Sequence, residues 1–483
     1  MPTLAAGAVR DAAGSRHTAL FLRLKGLAER GDANAQHSLG FMYVNGQGVP
    51  QDHAQAVAWY RMAAQSGLEH AQYNLGVMYQ KGQGVARDEA QAAHWYRLAA
   101  QQGYAAAQYN LGWQYARGEG VALDAASAMH WFSKAAEQGD AGAQNNLGLM
   151  YETGKGVAQD FEQAIYWYRK AAAQGYARAQ FNLALRYENG QGVAQDPQQA
   201  ISWLRMAADQ GYAPAQFNLG LRYDKGQGLA QDSQAAIGWY RRAAEQGHAS
   251  SQFNLGLIYD GAAGLQRNAQ FALDWYRKAA AQGHAGAQDT LGLRYQHGQD
   301  LECDLAQALA WYRQAAEQGF ASAQYHLALL IDDDADDRDA AVRWLHQAAE
   351  QGHVRAQFDL ALRYQGGSAV ARDDVRAMAW CRRAAEQDYA PAQYLLGTLF
   401  EHDASARHHP GEAPAWYRKA AEQGMAPAQF ALGLCYDCGL GVAQDFHAAY
   451  GWYRLAAQQG HVRAQLNMAS MQACGHVKGI KSA

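Results

Sequence analysis

Apolar residues between Ala71 and Ala106 fall into two helical patterns separated by a short loop. Ala71, Leu75 and Tyr79 recur at i, i+4 and i+8, one stripe of an α-helix. Tyr73 and Val77 add a second stripe, leaving a narrow strip at Asn74, Met78 and Lys81, the places that turn polar in other copies, as at Arg186 and Arg222. A helix so nearly apolar all round is expected to lie between neighbours. Gly82 ends it, because glycine takes the left-handed conformation needed just past a helix. Asp88, with Gln91 three residues later, reads as the N-cap and capping-box partner of a second helix. That helix carries Ala92, Trp95, Tyr96, Ala99 and Ala100 and stops at Gly103. Alanines beside large rings let helices approach while the rings fill the remaining space.

The same line is written repeatedly. Units open at Ala35, Ala71, Ala107, Ala143, Ala179, Ala215, Ser251, Ala287, Ala323, Ala356, Ala392 and Ala428, each step being 36 residues except the 33 from Ala323 to Ala356. A fixed period of this length predicts stacked supersecondary units. Residues 19–34 carry half a unit (LFLRLKGLAERG) matching the second helix, and residues 464–475 (AQLNMASMQACG) supply a closing first helix. The expected organisation is a tail at 1–18, a solenoid over 19–475 with twelve units in 35–463, and a tail at 476–483. The fold class is all-α: an α/α superhelical solenoid of twelve helix–loop–helix repeats capped by half-repeats. Twelve of the 13 tryptophans occupy one position of the unit, from Trp59 and Trp95 to Trp416 and Trp452, and are expected in the core.

The line AQYNLGVMYQKGQGV…D…A…WYRLAAQQG resembles the Sel-one-like repeat (SLR) family, relatives of the tetratricopeptide repeats, and the match recurs twelve times over residues 35–463. The resemblance implies that the first helices line a concave surface and that the chain works as an adaptor. In bacteria it would allow a regulatory, secretion-related or immunity-type binder. The family supplies no shared catalytic residues to carry over, and fold alone fixes no pathway.

Composition narrows the partner. A formal net charge of -4 makes no electrostatic case for nucleic acid or an anionic membrane. No stretch approaches the ~18 apolar residues of a membrane span. Five cysteines (Cys303, Cys381, Cys435, Cys438, Cys474) make no disulfide framework in so long a chain. Arg10, Asp11 and Arg16 interrupt any apolar run near the N-terminus, so no export signal is read there. The expectation is a cytoplasmic protein, or a periplasmic or secreted one should an export signal have been removed. A protein or peptide partner is expected, with no cofactor and no small-molecule substrate.

Candidate contact residues lie on the polar strip. Its first place is asparagine in six consecutive units: Asn74, Asn110, Asn146, Asn182, Asn218 and Asn254. Four residues later stands arginine in four units: Arg186, Arg222, Arg294 and Arg363. Residues so spaced share a helix face, and stacking would align them in a ladder. Asparagine offers donor and acceptor to a bound backbone, and arginine grips carboxylates bidentately. The ladder therefore suits an extended or acidic segment in a groove. The alternative is that each asparagine bonds the adjacent unit and each arginine pairs with acids such as Glu188 or Asp224.

Other features yield less. Gly82-Gln83-Gly84 follows no strand and lacks the phosphate-loop spacing, so turn chemistry explains it. Asp332 to Asp337 carry alternate carboxylates, but the glycine and terminal glutamate of a calcium loop are missing. Pro414 should make its second helix begin late, near that residue, after an irregular loop. His402, Cys435, Cys438 and Cys474 are weak candidates for a metal site, since no second CxxC exists and ligands from successive units would have to lean together. His248, His284, His353 and His461 follow the glycine that ends a second helix, a connector position. No G-x-S-x-G or H-E-x-x-H element appears. No enzyme is expected; the alternative is a metal- or thiol-dependent one using the region from His402 to Cys474.

Overall fold

A computed structural model describes residues 17–262, 267–332, 337–402, 411–474 and 476. Helix dominates, and no strand occurs among the described residues. Among the described residues a helix at 17–28 is followed by twelve helix pairs, from Ala33–Asn45 with His53–Gln65 to Ala426–Cys438 with Phe446–Gln458, and by helix Val462–Ala473. The chain is an all-α solenoid. It divides into two compact units, Met1–His248 and Ala249–Ala483, each a run of the same pair. No helix among the described residues is long and apolar enough to cross a membrane.

Each pair is built by the same local rules. The first helix of the unit at Ala71 spans Glu69–Lys81 and ends on Gly82 at φ 66° and ψ 33°. Gly84 is left-handed too, and a Cβ there would stand 2.2 Å from the carbonyl oxygen of His53 in the preceding unit. The glycine pair is thus a turn pressed onto the neighbouring helix start. Asp88 caps Glu89–Gln101 by accepting from Ala90 and Gln91 N–H at 3.0 and 2.9 Å. Its own N–H donates to the Tyr79 carbonyl at 3.0 Å, so the return bond expected from the Gln91 side chain is not made.

The core is organised by one contact within each pair. Gly76 faces Tyr96, and a Cβ on Gly76 would lie 2.7 Å from that ring. The same glycine meets a buried Tyr or Phe ring in nine units. In the other three the glycine is Ala184, Ala328 or Ala361, and the residue packed beside it is Leu204, Leu345 or Cys381. Ring and Cβ exclude each other, so the two positions change together. The tryptophans differ from expectation: all twelve are half-buried, and the buried side chain is the next residue, a ring in nine units. Trp95, for example, packs on the cluster holding Tyr60, Ala71 and Leu75, covering the junction with the preceding unit.

A buried glutamine closes each pair. Gln72 donates to the Ala64 carbonyl at 3.2 Å and accepts from Gln102 at 2.8 Å. The first unit has Ser66 where Gln102 stands, and Gln36 Oε1 there is buried without a partner.

Irregular units depart locally. Helix Ala249–Leu257 runs into a π turn, Ile258–Ala262, with Gly261 at φ 103°. The acidic loop is described only at Asp332 and Asp337; residues 333–336 lie outside the described residues. The helix holding Pro414 spans Glu412–Glu422, with that proline buried in its first turn, so the late start is seen, two residues ahead of Pro414. Residues 403–410 of the preceding loop lie outside the described residues.

Candidate protein-binding face

Counting Ala71 as position 1, positions 1, 2, 5, 6 and 8 of the first helix are buried in that unit, as Ala71, Gln72, Leu75, Gly76 and Met78. Positions 3, 4 and 7 are half-buried and position 11 is exposed: Tyr73, Asn74, Val77 and Lys81. These share one side of a helix, and stacking repeats that side from unit to unit. Within Met1–His248 it carries Tyr73, Val77, Tyr109, Trp113, Phe181, Leu185, Phe217 and Leu221, all half-buried. Phe41 and Leu149 on the same side are 49% and 45% exposed. Connector rings extend it: Tyr104 lies 5.1 Å from Tyr73, Tyr212 5.5 Å from Phe181 and His248 4.9 Å from Phe217. Lys81, Arg117, Arg178 and Lys225 are exposed at its margins, and Arg117 sits 4.7 Å over Trp113.

Within Ala249–Ala483 three connectors are histidines set against the same ring position. His284 lies 4.7 Å from Phe253, His353 4.6 Å from Tyr325 and His461 4.5 Å from Phe430. Each of these histidines also accepts a first-turn N–H through Nδ1, from Ala287, Ala356 and Ala464. They are helix caps, a role the connector reading did not foresee.

All six asparagines are half-buried on this side. Asn74 bonds His37 of the preceding unit at 2.9 Å, Asn182 donates to Asn145 at 3.0 Å, and Asn218 donates to its own helix at Pro214. The arginines lie elsewhere, at position 8 on the buried edge, and each reaches back to an acid of the preceding unit. Arg186 meets Glu152 at 3.1 Å, Arg222 meets Glu188 at 2.5 Å, and Arg363 holds Asp332 bidentately at 2.9 and 2.6 Å. Arg294, with a side chain only 4% exposed, joins Asp260 and Asp300, and Arg267 joins the same two carboxylates. The guanidinium of Arg267 holds Asp300 below the usual carboxylate range. Buried pairs of this kind leave a costly lone charge when one partner is removed.

The Glu152 carboxylate also accepts from Tyr168 at 2.8 Å, and burial, with that contact, pushes the phenol well above its ordinary range. Sequence reasoning missed the open apolar places, Val77 and Trp113 among them. Their signal is the second apolar stripe, which the structure leaves half-open.

The candidate metal ligands are not gathered. Cys435 is buried and its thiol is pushed up to about 12 by burial, while Cys438 and Cys474 are exposed. The side chain of His402 lies outside the described residues. No group of three or more His, Cys, Asp or Glu poised for a metal occurs among the described residues.

Tandem helix pairs with an open first-helix side define a repeat scaffold of the kind that binds proteins. The Sel1 repeat family model matches twelve consecutive segments, from 33–68 to 426–461, and the chain belongs to that family. Each segment opens two residues before the alanine, where the helix begins. Among solved structures, the chain is similar to c5321, a protective antigen present in uropathogenic Escherichia coli strains and displaying an SLR fold. Identity there is 32%, with 96% of this chain and 99% of that one covered at a TM-score of 0.65. It is also similar to a Sel1 repeat protein from Oxalobacter formigenes, 32% identical over 50% of this chain and 96% of that one, TM-score 0.47. No curated protein matches significantly. Sel1 repeat proteins are generally non-catalytic protein-interaction scaffolds.

Proposed function

We propose that the chain is a non-enzymatic adaptor that holds an extended partner segment along the first-helix side, where apolar rings are flanked by asparagine amides. The observation that carries this is the row of rings left half-open after the fold's own pairing is complete: Tyr73, Tyr109, Trp113, Phe181 and Phe217. Rows of exposed apolar side chains mark interaction sites. Asn74, Asn110, Asn146, Asn182, Asn218 and Asn254 give that segment's backbone a donor and an acceptor. Exposed Lys81, Arg178 and Lys225 favour acidic residues in the partner. Arg186, Arg222, Arg294 and Arg363 act in this reading by fixing the register of the units. A regulatory, secretion-related or immunity-type role is compatible with such a face.

A displayed random-peptide library panned against the chain tests the reading. Enriched peptides should alternate apolar and acidic residues, and Trp113→Ala with Phe181→Ala should weaken them tenfold or more while leaving helicity intact. Equal binding by that double variant would sink the proposal.

A further inference from the structure

Second helices carry grooves of their own. In Met1–His248 a groove of about 570 Å³ runs along helix Phe161–Ala173, past Tyr166 and Arg169, to Gly192 of the next unit. Its arginine is tied down. Arg169 donates to the Tyr187 hydroxyl at 2.8 Å, and Arg61, Arg97 and Arg205 donate likewise to Tyr79, Tyr115 and Tyr223. In each case the arginine holds position 27 of one unit and the tyrosine position 9 of the next.

The junction between the units at Ala356 and Ala392 departs from this rule. Position 9 there is Phe400, which has no hydroxyl, and the guanidinium of Arg382 lies 5.5 Å from that ring. Arg383 beside it lies 4.6 Å over Trp380. Both arginines are exposed, and neither makes an ion pair among the described residues. A ring face attracts a guanidinium but leaves its N–H donors without acceptors.

The groove at this junction is also larger. About 840 Å³ lies between helix Asp374–Ala385 and the last turns of helix Ala390–His402, a volume in the range of ligand clefts. Val375, Met378 and Leu399 line it with apolar surface, and Arg382 and Arg383 stand at its wall. Of its two acids, Asp374 already holds Arg372 through two contacts of 3.1 Å, which leaves Glu386 against two guanidiniums. Positive charge is therefore in excess where the donors are free. Enclosure is poor, with Val375 81% exposed. Sites for small molecules bury most of their ligand, so this cleft suits a chain segment that runs on past it.

We propose that the cleft is a second docking site, apart from the first-helix side, for a short peptide of a partner protein that sets an acidic residue beside a leucine, phenylalanine or methionine. The apolar side chain rests on Val375, Met378 and Leu399. The carboxylate meets Arg382 and Arg383, whose planar forks can each grip it bidentately. Phenylalanine in place of tyrosine at position 400 is what leaves Arg382 its donors, so that residue sets the specificity of the cleft.

Anisotropy titrations of the full chain with labelled hexapeptides test this. Each peptide places Asp or Glu beside Leu, Phe or Met in a Ser–Gly background, and Asn or Gln versions serve as references. The acidic peptides should bind about tenfold more tightly than the amides, and Arg382→Gln should remove that advantage. Phe400→Tyr should weaken binding severalfold, because it offers Arg382 the hydroxyl that Tyr187 offers Arg169. Trp113→Ala with Phe181→Ala, on the first-helix side, should change nothing, so this site stands or falls apart from that one. Absent binding, or equal binding of acidic and amide peptides, overturns the proposal. So does unchanged binding in Arg382→Gln or in Phe400→Tyr. Loss of binding in the Trp113→Ala, Phe181→Ala variant would put the peptides on the first-helix side and overturns it too. Octanoate that displaces the peptides at equal concentration would make a free apolar carboxylate the occupant, and overturns the peptide.

Discussion

Gly148 and Tyr168 hold their helices at a distance only a missing side chain allows. A Cβ on Gly148 would lie 2.5 Å from the Tyr168 ring, whose hydroxyl donates to Glu152. Gly148→Ala should overpack this contact and cost about 1–3 kcal/mol, read as faster hydrogen exchange in helices Ala141–Thr153 and Phe161–Ala173. Adding Tyr168→Leu recreates the pair found at Ala184 and Leu204, where Glu188 keeps its ion pair to Arg222. The double variant should therefore recover much of the protection; strictly additive losses would show that ring and glycine are uncoupled. This pairing was fully legible in the sequence, since the two positions change together in every unit. The period of tryptophan is nonetheless the more conspicuous. A large ring at a fixed period shows that a position packs, and says little about whether it packs inside a unit or across a junction.

At the scale of the helix, capping separates the units chemically. Most second helices start on an aspartate, as at Asp88, whereas His284 and His353 cap first helices through Nδ1. Burial, aided at His353 by His326 and Arg355 and opposed by Asp289, holds both imidazoles below their ordinary value of 6.5. Folding thus disfavours their protonated forms. The stability they permit is present above the unfolded value and is lost as pH falls below about 6.5. A protonated Nδ1 also cannot accept the helix N–H, and it sets a positive charge at the helix N-terminus. The thermal midpoint should fall between about pH 7.5 and 5.5, and His284→Asn with His353→Asn should flatten that fall, because asparagine still caps. An unchanged slope in the double variant would show that these caps are not the acid-sensitive groups. Helix number, order and the αL stop at Gly82 were readable from spacing and glycine chemistry. For the arginines, spacing left two destinations open, a bound segment or an acid such as Glu188. A helical wheel puts Arg222 beside Asn218, and only the stacking shows that it turns inward to Glu188.

At the scale of the whole chain, a period permits arithmetic that a globular fold does not. Each unit touches its neighbours, so removing one complete period should leave a foldable array provided the new junction is chemically sound. The arginine rungs say which junctions are. Deleting residues 179–214 brings Glu152 against Arg222, an acid before an arginine as in the intact array. Deleting residues 323–355 brings Gln296 against Arg363 and removes Asp332, leaving a largely buried guanidinium without its carboxylate. Both variants lose one helix pair, so a length effect alone would lower their melting points alike. The second deletion should cost about 3–5 kcal/mol more at its junction, with far lower protection of residues 356–366 in hydrogen exchange than the first shows at residues 215–225. Replacing Gln296 by Glu in the second deletion restores the rung and should return most of that protection. Equal protection at the two junctions, with or without that replacement, would mean that the rungs do not govern how units join. The acid-to-arginine order can be read along the sequence once one knows that position 10 of a unit meets position 8 of the next. That offset is a property of the stack, and no single repeat contains it.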